Sequence, residues 1–234
     1  MKGEPAHQAA RGSLLGQGAL PYVLPFAAFV GFLAIDRFLP FPIEWNYALR
    51  FGIVFAILIT ISRGVLPGRI ASPVGSVMLG IAVFWLWIGP DLLWPAYRQS
   101  RLFQNSLVGA AESSLPQAAR GNAVFLVFRV LSSVVNVPVL EELFWRGWLM
   151  RWLISTDFRK VPLGSYTAQS FWLVAVVFAV EHGSYWDVGL IAGILYNWWM
   201  IRRRSLGDCI LAHAVTNACL AWYVVVRGHW HYWL

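Results

Sequence analysis

An all-α membrane protein with about eight transmembrane helices is what this sequence predicts, on three observations. Of its 234 residues, 59% are hydrophobic and only 12% charged, with a mean hydropathy of +0.60. A soluble domain carries roughly 25% charged and 45–50% apolar residues. The apolar residues gather into runs close to the roughly 20 needed to cross a hydrocarbon core. Fourteen Trp and eight Tyr, among them Trp145, Trp148, Trp152, Trp198 and Trp199, suit rings that settle at headgroup level or pack between helices.

The runs fall at 19–36, 47–62, 74–90, 121–137, 139–155, 170–184, 186–201 and 206–226. The stretch before the first is polar, with Lys2 and Arg11, and no small-residue cleavage site follows it. That pattern reads as a first span rather than a signal peptide. Residues 122–154 would extend about 50 Å as one helix, too long for a single crossing. Pro138 biases the residue before it away from helix, so two helices with a break at Pro138 are expected. The longest polar connection, 95–120, carries Arg98, Arg101 and Glu112 and predicts an interfacial helix or an entrance loop. Cys209 and Cys219 would lie about 15 Å apart on a continuous helix, beyond disulfide reach.

Eighteen Lys and Arg against eleven Asp and Glu give a net charge of +7. No basic stretch is long enough to build a nucleic-acid face. The basic residues read instead as topology anchors, placing Arg202 to Arg204 and the Arg159–Lys160 pair on the cytoplasmic side.

Ionisable residues inside spans are costly, so each asks for a role. In VLEELFWRGWLMR, Glu141 and Glu142 stand side by side with Arg146 four residues after Glu142. This i,i+4 spacing lets Arg146 neutralise Glu142 and leaves Glu141 free to face elsewhere; alternatively, both glutamates simply favour a helix N-terminus. A second span ends FAVEH, with Phe178 one turn before His182 and an extra carboxylate at Glu181. A third, CILAHAVTN, sets His213 and Asn217 on one helical face, as helix-packing polar residues or as a site. A carboxylate with an imidazole can hold and deprotonate water. A second imidazole with a carboxamide can donate to the oxyanion that water attack creates. Those are the parts of peptide hydrolysis, if three helices bring them together.

Glu141-Glu142-x-x-x-Arg146, Phe178-x-x-x-His182 and His213-x-x-x-Asn217 resemble, in order, the three motifs of the CPBP family, the CAAX prenyl proteases and bacteriocin-processing enzymes. The resemblance covers about residues 120–226. It implies a multi-pass intramembrane endopeptidase whose active site lies inside the helix bundle. On this match Glu141 and His182 activate water, His213 and Asn217 form the oxyanion hole, Arg146 orients Glu142, and Phe178 supports the site. No cofactor is then needed. The alternative is a zinc enzyme, the family having long been called metalloproteases, with Glu141, His182 and His213 as ligands; no His-Glu-x-x-His helix strengthens it. Residues 1–118 would supply N-terminal spans and a polar connection, and 119–228 the catalytic core. The expected partners are the bilayer and a membrane-anchored peptide or protein, the expected setting a bacterial inner membrane. A rival reading makes Glu141, Glu142, His182 and His213 a proton or ion path of a transporter.

Overall fold

The computed structural model describes residues 18–113 and 115–233; the polar stretch with Lys2 and Arg11 lies outside them. Among the described residues the secondary structure is helical, apart from one isolated bridge between Asn105 and Gly109. Among the described residues seven helices carry the fold. They are α1 (Leu20–Ile35), α2 (Ile43–Thr60), α3 (Pro73–Leu93), α4 (Ala123–Trp152), α5 (Ala168–Val180), α6 (Trp186–Arg203) and α7 (Leu206–Arg227). By length and composition α2, α3, α4 and α7 can cross a membrane, and α1 and α5 are shorter apolar helices. Leu86, Val176, Val177 and Val180 point outward, an arrangement that suits lipid and would be penalised in water.

The expected break at Pro138 does not occur: α4 runs through it as one 30-residue helix. Proline lacks the N–H of an α-helical bond, and its ring crowds the carbonyl four residues back. The turn before it, Ser132–Asn136, is a π-helix, and this wider turn makes room for the ring. A second π segment, Leu143–Leu149, follows the two glutamates. Among its described residues the 95–120 connection has no α-helix; it carries 3-10 turns at Tyr97–Gln99 and Gln117–Gly121 and the Asn105–Gly109 bridge, so of the two expected forms it takes the loop.

Local chemistry sets the helix ends. Asn122 accepts the Phe125 N–H at the start of α4, and Thr167 forms a capping box with Ser170 at the start of α5. Gly228, at φ 73°, closes α7 in the left-handed conformation. Buried Asp208 joins α7 to the start of α3, accepting from the Ala71 and Ser72 backbone N–H groups and the Ser76 hydroxyl. Gly80 lets the same two helices cross closely, since a methyl there would run into the Ala212 carbonyl. At the opposite end of α3, Arg98 binds Asp91, Asp187 and the Ser184 carbonyl, tying the loop to α6. One core cluster contains Tyr47 and Phe84 together with Phe125, Val188 and Val224, so the early helices pack into the same interior as the later ones.

Candidate active site

Glu142 and Arg146 are both fully buried on α4, with Arg146 Nη1 3.1 Å from Glu142 Oε1. Three further groups hold the guanidinium: Nε donates to Asn197 Oδ1 at 2.9 Å, Nη2 to the Gly193 carbonyl at 3.3 Å, and the Phe178 ring lies 4.6 Å away. Asn197 in turn donates to the Phe171 carbonyl. Arg146 therefore clamps α4 to both α5 and α6. Burying an ion pair costs desolvation, and partners on several sides are what offset it.

His213 Nδ1 lies 3.1 Å from the same Glu142 Oε1. A carboxylate oxygen already paired with arginine accepts here, so Nδ1 carries a proton and Nε2 is the nitrogen left for other partners. Tyr196 stacks on the ring, its centroid 5.2 Å away, and donates its own hydroxyl proton to Thr216. His182 follows the same logic. Its Nδ1 lies 2.7 Å from the Phe178 carbonyl, which can only accept, so Nδ1 is protonated and Nε2 is left as an acceptor. Phe178 and Trp87 flank that ring at 4.7 and 5.1 Å.

Asn217 is placed by the irregularity in α4. The Val137 N–H bonds to Ser132 rather than Ser133, and Pro138 has no N–H to offer. The Ser133 carbonyl is therefore free, and Asn217 Nδ2 donates to it at 2.8 Å. The π turn that accommodates the proline also orients the carboxamide. Glu141, 8% exposed, keeps a buried Oε2 without a partner; its neighbour Glu142 likewise has a free Oε2, but its Oε1 is held by both Arg146 and His213.

Glu141, His182, His213 and Asn217, from α4, the end of α5, and α7, line one cavity of about 110 Å³ together with Phe178 and Tyr196. That space holds a water and a carbonyl group. A larger cavity of about 460 Å³ also touches Glu141, His182 and Asn217 and extends past Glu181 to Phe29 on α1 and Arg129 on α4. Among the described residues no three His, Cys, Asp or Glu side chains are grouped to hold a metal ion, so the zinc ligand set Glu141, His182 and His213 does not form a ligand cluster.

The sequence reading missed the groups that hold the site from behind. Asn197 was detectable, as a carboxamide inside an apolar run. Trp87 and Tyr196 were not, since nothing separates their apolar positions from ordinary core. Tyr47, Phe29 and Trp87 show that the first three helices line the cavities and are more than apolar filler.

Residues 123–219 match the family model described as Rce1-like, type II CAAX prenyl endopeptidase Rce1-like. No curated protein and no solved structure matches the chain.

Proposed function

We propose, from the premise that through residues 123–219 the chain belongs to the Rce1-like family of CAAX prenyl endopeptidases and is an integral membrane endopeptidase, that it cuts membrane-anchored peptides by direct activation of water. The observation that carries this reading is the convergence of Glu141, His182, His213 and Asn217 on one buried cavity.

In this mechanism Glu141 is the general base. Its unpartnered oxygen and the acceptor nitrogen of His182 bracket a water and draw its proton as the oxygen attacks the scissile carbonyl. The tetrahedral oxyanion is met by the second amide hydrogen of Asn217 and by His213 Nε2. Because His213 Nδ1 already donates to Glu142, Nε2 can donate only when the ring carries both protons. The Glu142 carboxylate is positioned to balance that charge. The proton taken by Glu141 then passes to the departing amine. Water activation is assigned to these side chains without a metal.

The test is to reconstitute the purified protein in vesicles with a farnesylated CAAX peptide and read products by mass spectrometry. The proposal expects one new peptide end, with the solvent oxygen in the new carboxylate. Carboxylate-dependent ion flux without any peptide product would support the transporter reading instead.

A further inference from the structure

Two walls of the larger cavity are unlike, and hydrolysis uses one of them. From α4 and α7 come the polar groups that meet a peptide backbone, among them Ser133, Glu141 and Asn217. From α1 come Phe26, Phe29, Val30 and Leu33, an i, i+3, i+4, i+7 set that forms one wholly apolar helical face. Burial changes along this strip. Phe26 and Phe29 are half-buried. The Phe26 ring stacks on Phe144 at 4.2 Å and stands edge-on to Trp145, the residues three and four places after Glu141 on α4. Val30 and Leu33 are 45% and 51% exposed. The strip therefore runs about 10 Å from the level of the catalytic groups to a mouth that opens on the lipid-facing surface.

We propose that this face of α1 is the subsite for the hydrocarbon anchor of the substrate, an isoprenoid chain, and that Phe29 at its middle is the main specificity contact. The inference rests on the endopeptidase reading above. In a prenylated CAAX peptide the isoprenoid hangs by a thioether from the cysteine beside the cleaved bond, so its first carbons lie near Glu141 and His182 whenever that bond does. A chain that starts there and follows α1 reaches the bilayer along a continuous apolar face, with the hydrophobic effect favouring each carbon it buries. Because α1 lies outside the matched residues 123–219, anchor selection falls to a helix separate from the catalytic core. The acyl chain of a bilayer phospholipid offers similar hydrocarbon. The isoprenoid is favoured because the inner end of the strip shares its cavity with Glu141, His182 and Asn217, which a surrounding lipid has no reason to approach.

The experiment maps contact, so it does not depend on turnover. Full-length wild-type and Glu141→Gln proteins in phosphatidylglycerol vesicles are irradiated with a CAAX peptide whose farnesyl group carries a photoreactive diazirine, and mass spectrometry locates the label. Label is expected on the 26–33 face of α1, suppressed by excess unlabelled farnesylated peptide and not by the same peptide with a free cysteine. Phe29→Ala should raise the peptide concentration needed for suppression, and the KM for cleavage, by about tenfold or more, the scale of one lost aromatic contact. Its kcat should change little, and Phe29→Leu should keep most of the affinity. Suppressible label confined to other helices, or none at all, would overturn the subsite whether or not the Phe29 variants fold. Label on α1 that excess peptide does not displace would mark an ordinary lipid-facing surface and overturn it as well. An unchanged peptide requirement in folded Phe29→Ala protein would overturn the assignment of Phe29. Suppressible label on α1 without cleavage by wild type would count against the hydrolytic reading and leave the subsite standing.

Discussion

Glu142 is the residue on which the site turns, because one of its oxygens serves both Arg146 and His213. Removing Arg146 would leave Glu142 buried beside a single imidazole, and breaking a buried pair typically costs about 3–5 kcal/mol. Arg146→Ala is therefore expected to lower the folded yield and the unfolding midpoint in detergent as well as activity. Unchanged stability would show that the Arg146 clamp contributes nothing measurable to holding α4 against α5 and α6. In the proposed mechanism Asn217 has a different signature, since there its second amide hydrogen acts on charge that develops only during reaction. Asn217→Ala should reduce kcat by roughly 10²- to 10³-fold with KM much less affected, measured by steady-state cleavage in vesicles. The pairing of Glu142 with Arg146 was legible in the sequence from their spacing of four residues. That His213 shares the same carboxylate was not, because 71 residues of chain separate them and only the crossing of α4 with α7 brings them together.

At the scale of elements, the sequence misleads where a local rule meets a local remedy. Pro138 argues for a break and α4 continues, because the π turn at Ser132–Asn136 absorbs the proline. Nothing in the composition of Ser-Ser-Val-Val-Asn announces a π turn; the i,i−5 bond that makes one is weighed against packing on α2, where Asn136 donates to the Phe51 carbonyl. The helix crossing beneath the site is set by a small residue: a Cβ on Gly193 would meet Ala175 and Phe178 at 3.2 Å. Gly193→Leu should push α5 away from α6 and carry Phe178 and His182 with it. Overpacking of this kind costs typically about 1–3 kcal/mol, so both a lower unfolding midpoint and a large loss of turnover are expected. Full activity with a lower midpoint would show that His182 is placed independently of that crossing.

For the whole molecule, composition and span length predicted an all-α membrane protein, and the described residues form one. The sequence could also supply the list of polar groups in spans, since each is conspicuous against an apolar background. It could not supply their convergence, which depends on α3 and α7 crossing at Gly80 and on Arg146 joining α4, α5 and α6. If water activation needs no metal, the enzyme should stay active after prolonged chelation, with metal analysis of the same sample showing less than stoichiometric zinc. Reversible loss and recovery of activity with zinc would make His182 and His213 ligands instead. The most direct test of the central claim is the turnover of Glu141→Gln protein that inserts and unfolds like wild type, because the amide keeps the shape of the side chain and removes the base. The account predicts that cleavage of a farnesylated CAAX peptide falls by about 10²-fold or more. Cleavage at the wild-type rate would contradict it.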